Sequence, residues 1–450
     1  MATSSVISDG PVHKQGAFMP VASSSSARVA AIGLGYVGLP LAVALSRRFP
    51  VVGFDVDSGR VAELKSGLDR TREVTEQDLR AAAFPLTDDV EAIADSDVFI
   101  VTVPTPVDDD HRPDLAAVVS ACRTVAKFVR EGSVVVFEST VYPGVTEDVC
   151  GPEIEAVSGL RCGRDFFLGY SPERVNPGDR EHTVDSITKV VAGQTPEVTA
   201  LLVEVYGAVT SGGVFAARDI KTAEAAKVIE NAQRDINIAF INEVAQIFHK
   251  LGISVFDVLE AASTKWNFLK FQPGLVGGHC IGVDPYYLAH RAQEIGHEPE
   301  IILAGRRIND GMGAYVAERI ATALAETMGQ RDGADILVLG LTFKEDVPDL
   351  RNTKVIDIVR GLEERGHRVQ IHDPMADAAE ARKYYGVDIL TGLDSARDFD
   401  CMVAAVAHKS YRAFTSATFS RLVRPGGLVA DMKGIWRDVP LGDGMRRWQL

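Results

Sequence analysis

One cysteine, Cys280, stands in the run Pro273-Gly274-Leu275-Val276-Gly277-Gly278-His279-Cys280-Ile281-Gly282-Val283-Asp284-Pro285, with the carboxylate of Asp284 four residues further on. Glycines at 274, 277 and 278 let the backbone take positive φ and let a ligand come close, and prolines punctuate the loop on either side. A thiolate is a strong nucleophile, so a cysteine held there beside polar groups could bond covalently to an electrophilic carbon. Read alone, the loop leaves a structural or incidental cysteine open. Lys227 and Asn231, four apart in a stretch without Pro or Gly, share one helix face. The lysine could steady a developing oxyanion with the asparagine donating to the same oxygen or to a water, or it could be a solvated partner of Glu224 or Glu230.

These groups need elements to position them. From Arg28 the chain runs Val29-Ala30-Ala31-Ile32, then Gly33-Leu34-Gly35-Tyr36-Val37-Gly38, an apolar-periodic stretch to Leu45, and Val51-Val52-Gly53-Phe54-Asp55. This order of strand, glycine turn, helix, strand and acid is a dinucleotide-binding pattern. Gly33 makes the tight turn, Gly35 admits the pyrophosphate to the backbone and Gly38 permits close helix packing, with Tyr36 and Val37 in the same turn. Asp55 follows at the end of the second strand, where a carboxylate accepts from the adenosine ribose and repels a 2′-phosphate, favouring NAD over NADP. Further strands at 97–103, 133–138 and 166–170 alternate with helix and predict a parallel sheet with ligands beyond its carboxyl edge. That edge carries Thr102, Pro104-Thr105, Ser139-Thr140 and Ser171-Pro172-Glu173-Arg174. Thr140 is equally readable as a helix cap.

Residues from about Ile220 to Leu251 read as one long helix stopped by Gly252. It is long enough to join two domains and to support a dimer. Near the carboxyl end the pattern recurs, with strands at 335–339, 367–373, 402–406 and 428–431 and a helix around Val355 to Arg365. Thr342 and Phe343 stand where a dinucleotide turn needs glycine, so this unit is expected to hold a different ligand. Lys344 and Arg351 could hold a diphosphate there and Phe343 could stack on a base; solvated loop charges are the other reading. The expected organisation is a disordered leader over 1–26, a cofactor-binding domain over 27–215, a helical middle domain with the cysteine loop over 216–320, and a second nucleotide-binding domain over 321–450. The fold class is α/β, with two Rossmann-like doubly wound parallel-sheet domains joined by the long helix.

The 450 residues exceed what one core organises. A balance of 62 acidic against 47 basic residues, net −15, argues against nucleic-acid or anionic-membrane partners. Five cysteines at irregular spacing, without a C-x-x-C pair, fit neither a disulfide framework nor a zinc site and point to a reducing, cytoplasmic compartment without a bound metal. No apolar run approaches a membrane span.

Taken in order, the glycine turn, Asp55, Ser139-Thr140, Ser171-Pro172-Glu173-Arg174, Lys227 and Asn231, Gly277-Gly278-His279-Cys280 with Asp284, and Phe343-Lys344 with Arg351 resemble the UDP-glucose/GDP-mannose dehydrogenase family over nearly the whole chain after the leader. The cysteine loop and the segment Tyr170 to Gly178 look like the branch acting on UDP-N-acetylhexosamines. They are less similar to the UDP-glucose enzymes, and Pro177 stands where some of those carry a second glutamate. The resemblance implies a four-electron oxidation of the sugar C6 alcohol to a carboxylate, with NAD reduced twice. Cys280 would capture the aldehyde as a thiohemiacetal that becomes a thioester, Lys227 and Asn231 would stabilise oxyanions, and Asp284 would orient water and the lysine. Glu173 would be the base for hydrolysis, with Thr140 near the reacting centre. Arg351 would serve the cofactor or a phosphate, while Arg174, Phe271, Gly274, Gly277, Phe343 and Lys344 would line the substrate site. UDP-N-acetylglucosamine is the first substrate expected; its galacto and manno epimers and UDP-glucose come next. A two-electron hydroxyacid dehydrogenase would need no thiol, and a non-catalytic nucleotide-sugar sensor would be expected to have lost a catalytic group. The implied assembly is a homodimer or a larger homo-oligomer.

Overall fold

The computed structural model describes residues 27–108, 110–174, 183–278, 281–328, 333–442 and 444–450. Two sheets account for the strands. The first takes β1 (Val29–Ile32), β2 (Val51–Phe54), β3 (Leu86–Thr87), β4 (Val98–Val101), β5 (Val134–Phe137), β6 (Phe167–Tyr170), β7 (Lys189–Gly193) and β8 (Val214–Ala216) in the order 3-2-1-4-5-6-7-8. Strands β1, β4 and β5 are buried throughout, and near-continuous Val/Ile/Phe runs of this kind are what a sheet covered on both faces requires. Apolar clusters lie on both sides, one with the helices Gly38–Ser46 and Pro196–Gly207, the other with Ala116–Ala126 and Gly151–Ser158.

The strands read from the sequence in the first sheet pair in parallel, and the exception is one that was not read. Strand β7 runs antiparallel to β6, pairing Gly169 with Gly193 and Tyr170 with Ala192. Strand β7 therefore starts at the carboxyl edge, and its first residue, Lys189, is delivered to the edge where a ligand would sit.

The second sheet takes β9 (Asp335–Leu339), β10 (Arg368–His372), β11 (Ile389–Leu390), β12 (Phe399–Ala404), β13 (Val423–Asp431) and β14 (Arg446–Gln449) in the order 11-10-9-12-13-14, all parallel. Short β11 and the terminal β14 were not read from the sequence. The 32-residue helix Ile220–Leu251 lies between the sheets, capped by Asp219 at its start and by Gly252, φ +68°, at its end. At 1.5 Å per residue it reaches about 48 Å. It packs along the second long helix, Glu300–Met328. Among the described residues no helix is long and apolar enough to cross a membrane, and no group of three or more His, Cys, Asp or Glu could hold a metal ion.

Candidate active site

A cavity of about 640 Å³ opens at the carboxyl edge of the first sheet. Its lining includes Gly33, Gly35, Tyr36, Val37, Asp55, Thr102, Pro104, Thr105, Ser139, Thr140 and Glu173 from the first unit, and Arg351 with Lys354 from the second. The turn after β1 shows why glycine is needed. Gly33 has φ +94°, and a Cβ on Gly38 would lie 1.9 Å from the Gly33 carbonyl oxygen, so helix and turn touch directly. A Cβ on Gly35 would meet nothing within 4 Å, leaving open space above the turn where a pyrophosphate fits. The amide of Leu34 donates to Asp55 Oδ2 at 2.7 Å and that of Asp57 to Oδ1 at 2.9 Å, which hold the carboxylate at the cavity wall with lone pairs left for ribose hydroxyls. The Arg351 guanidinium lies 5.5 Å from the Tyr36 ring centre, and His111 stacks on Tyr286 at 4.3 Å. The cavity is thus closed across domains at two points.

Its reactive end is built on the long helix. Asn231 Nδ2 donates to Asp284 Oδ2 at 2.6 Å, and Lys227 Nζ lies 4.0 Å from the same oxygen, all three residues being buried. Asp284 lines the cavity and opens the helix Asp284–Glu294, whose N-terminal dipole favours its charge. Burial pushes the Asp284 carboxyl up to about 6, although Lys227 and Asn231 pull the other way. Glu224, one turn before Lys227, accepts from the amides of Gly144 at 2.6 Å and Thr146 at 2.9 Å. It braces the segment after Thr140 against the long helix, and burial pushes it up to about 7. Glu230 pairs with Arg174 at 2.8 Å. Both glutamates thus have partners of their own, and Asp284 is an acidic neighbour of Lys227.

Models of the UDP-glucose/GDP-mannose dehydrogenase family match residues 27–210 as the NAD binding domain, 221–311 as the central domain and 337–438 as the UDP binding domain. The chain belongs to that family. It is similar to Protein CapL of Staphylococcus aureus, 51% identical over 422 residues that cover 94% of this chain and 99% of that one. It is 51% identical to the UDP-N-acetyl-D-glucosamine 6-dehydrogenase of Pseudomonas aeruginosa over 90% of this chain and 96% of the relative. Among solved structures, that of a UDP-D-ManNAc dehydrogenase from Pyrococcus horikoshii superposes with a TM-score of 0.84 at 30% identity, covering 93% of this chain and 98% of that one. The α/β architecture with two parallel-sheet units, NAD as cofactor and an oxidoreductase activity come with the family.

Within the family's central domain the structure separates the expected residues. Cys280 and its neighbour His279 lie outside the described residues. On one side of them Gly278 faces the Phe343 ring, 2.8 Å from where a Cβ would stand, and on the other Gly282 lines the cavity. Gly277 presses on the Asn352 carbonyl, 2.5 Å from a would-be Cβ. Gly274 exchanges two hydrogen bonds with Asn242, at 2.8 and 3.0 Å, and faces the Lys433 ammonium. Phe271 packs on the core of the UDP binding domain, and the Lys344 carbonyl accepts from Thr342 Oγ1. These substrate candidates meet at the junction of the central and UDP binding domains, beyond the cavity lining. Arg174 is turned away, donating to the Thr188 carbonyl as well as pairing with Glu230.

The sequence reading missed a polar chain that joins these parts. Asn242 donates to Asn309, Asn309 to Asp235, and Arg306 bridges Asp235 and Asp310 at 2.6 Å each. Asp310 accepts from Tyr286 and lies 3.2 Å from Lys354. The signal was present. Glu224, Lys227, Asn231, Asp235 and Asn242 recur every three, four or seven residues on the long helix, and all five are buried. Five polar groups on one buried stripe each need a fixed partner.

Proposed function

We propose that the protein is an NAD-dependent UDP-N-acetylhexosamine 6-dehydrogenase, acting on UDP-N-acetylglucosamine and oxidising C6 to the carboxylate through Cys280. The observation that carries this reading is the buried Lys227–Asn231–Asp284 group at the wall of the cavity that the dinucleotide turn and Glu173 also line. The choice of sugar follows the 51% relative of that name over the ManNAc-directed structure at 30%. The domain roles are 27–215 for NAD, 216–320 for the reacting groups and 321–450 for the UDP moiety.

When bound, NAD accepts a hydride in each of two successive oxidations. The chain supplies the rest. The Cys280 thiolate adds to the first-formed aldehyde, so that a thiohemiacetal stays attached and its oxidation gives a thioester. Lys227 and Asn231 sit on one helical face and offer N–H donors to the oxygen that gains charge at each stage. Asp284 holds both donors by their common contact at its Oδ2, and it serves them best when ionised. Glu173, across the cavity, takes the proton of the water that cleaves the thioester. Arg351 serves the cofactor side, whereas Phe343, Lys344 and the glycines at 274 and 277 shape the UDP-sugar side.

The exposed apolar side chains Ile229, Phe240, Ile247 and Leu251 on the long helix support a homodimer built along it. The deciding experiment supplies the purified chain with NAD and, in turn, the gluco, galacto and manno UDP-N-acetylhexosamines and UDP-glucose. Two NADH per UDP-N-acetylglucosamine and the highest kcat/KM with that sugar are expected, and Cys280→Ala should form no acid. One NADH per sugar, or full acid formation by that variant, would overturn the reading.

A further inference from the structure

Arg351 enters the cavity from the loop between β9 and the helix Val355–Glu363, so its place over Tyr36 depends on how the UDP binding domain is set against the NAD binding domain. Within the loop, Asp349 takes its Nε at 2.9 Å and its Nη2 at 2.7 Å, a fork that fixes where the guanidinium points. How far it reaches is set elsewhere. The corner after Arg351 turns on Asn352, whose φ of +56° is uncommon for a residue with a side chain and persists where neighbours hold it. On one side Asn352 Nδ2 donates to the Gly278 carbonyl and its own carbonyl accepts the Gly278 amide, at 3.3 Å each. On the other, two residues on, Lys354 Nζ reaches Asp310 Oδ1 at 3.2 Å, with Asp357 Oδ2 at 3.5 Å.

Asp310 is where the three domains meet. Its Oδ1 also accepts from Arg306 Nη2 and its Oδ2 from the Tyr286 hydroxyl, at 2.6 Å each. Arg306, 2% exposed, is itself tied to Asp235 on the long helix at 2.6 Å. Burial opposes charge on Asp310, but Arg306, Tyr286 and Lys354 outweigh it and hold its carboxyl below the usual range, so the acid is ionised where the lysine meets it. Tyr286 carries the connection on to the NAD binding domain, since its ring lies 4.3 Å from that of His111 with 5° between the planes. The contacts form a closed circuit around the cavity, from Tyr36 through Arg351, Lys354, Asp310 and Tyr286 to His111, each of which lines it.

We propose that Asp310 is a positioning residue for the cofactor: by holding Lys354 it sets the corner at Asn352, and so keeps Arg351 over the glycine turn where the pyrophosphate of NAD fits. Neither Asp310 nor Lys354 needs to touch the cofactor. The guanidinium is placed before binding, so NAD affinity does not bear the entropy of ordering it. The role rests on Arg351 serving the cofactor, as proposed above.

Calorimetric titration of NAD into the full chain and its variants tests this as a double-mutant cycle. Arg351→Ala should weaken NAD ~10- to 100-fold, the loss of a hydrogen bond between charged groups. Lys354→Met should weaken it ~3- to 10-fold in the wild type, and by less than about twofold in Arg351→Ala, where the group it acts through is gone. Lys354→Arg, whose cation still reaches Asp310, should bind NAD within about twofold of the wild type. Asp310→Asn should match Lys354→Met; if that variant does not fold, the lysine cycle decides. Additive losses would overturn the inference by showing that Lys354 meets the cofactor itself. A Lys354→Met that unfolds more readily yet binds NAD like the wild type would overturn it too, because the pair would then be structural only. If Arg351→Ala binds NAD normally, the premise fails and the positioning role with it, whatever the lysine variants do.

Discussion

The two parallel-sheet units turn their first strands in the same way and use the turn differently. Gly33 after β1 and Gly340 after β9 have φ of +94° and +95°, and each is followed by an amide that donates to an aspartate at the end of the neighbouring strand. In the first unit Asp55 takes one turn amide and faces the cavity, and nothing stands above Gly35. In the second, Asp373 is buried, and its Oδ2 takes the amides of Leu341 at 2.6 Å and Thr342 at 2.8 Å, with Thr342 Oγ1 and His408 Nε2 each at 3.1 Å. Its Oδ1 takes the amides of Met375 and Ala376. No lone pair is left for a ribose. The same backbone geometry is a ligand site where the carboxylate is left open and a structural hub where it is filled.

The comparison breaks most severely at Gly38. Its Cβ would lie 1.9 Å from backbone and 2.3 Å from Thr102 Oγ1, so Gly38→Ala must displace the turn itself. NAD binding by calorimetry should fall by more than about 100-fold, comparable to the few kcal/mol that overpacking costs. Asp373→Ala should instead strike stability, because it strands two buried amides and the His408 contact. A loss of about 3 kcal/mol by denaturant unfolding is expected, with ADP-ribose affinity unchanged in whatever protein remains folded. The pH dependence has a definite sign. Burial opposes ionisation of Asp373, but His408 and the two turn amides outweigh it and hold its carboxyl far below the usual range. Its contribution is therefore full above an unfolded carboxyl value of about 3.9 and fades as pH falls below it. Asp55→Ala should show the opposite partition, with stability changed by less than about 1 kcal/mol and NAD affinity down ~10- to 100-fold.

A further carboxylate sharpens the contrast between committed and available acids. Asp284, pushed up to about 6 by burial, has a folded value above its unfolded one, so its ionisation costs stability as pH rises through that range. Function needs the ionised form to hold Lys227 and Asn231. The kcat should accordingly climb roughly tenfold per unit as pH approaches about 6 from below and then level off. Asp284→Asn should remove that limb. Should a limb near 7 remain in the variant, it belongs to Glu224, whose carboxylate braces the Thr140 segment.

Much of this was legible in the sequence because local rules produced it. The Gly33-to-Asp55 pattern, the long helix with its stop at Gly252, and the recurrence after Asp335 each rest on spacing within a few dozen residues. What was not legible depends on pairs distant in the chain. Glu138 and Lys189 meet only because β7 reverses direction, and no periodicity announces an antiparallel strand in an otherwise parallel sheet. The Asn242–Gly274 clamp spans 32 residues between a helix and a loop. The Arg174–Glu230 pair was hidden for the same reason, because the glutamate lies on the long helix.

The gentlest test changes the second turn to look like the first. Thr342 follows Gly340 at the position where Gly35 follows Gly33, so Thr342→Gly restores a glycine pair at that spacing. If glycine spacing alone made a dinucleotide site, the variant would gain one. The geometry says otherwise. Asp373 would lose only the Thr342 hydroxyl, keep both turn amides and His408, and stay buried, so its oxygens remain committed. Equilibrium dialysis should still find one NAD per chain, and unfolding should show a loss of about 1–2 kcal/mol from the hydroxyl's contacts and the added backbone freedom. A second equivalent of NAD bound by Thr342→Gly would mean that the occupied carboxylate is not what separates the two turns.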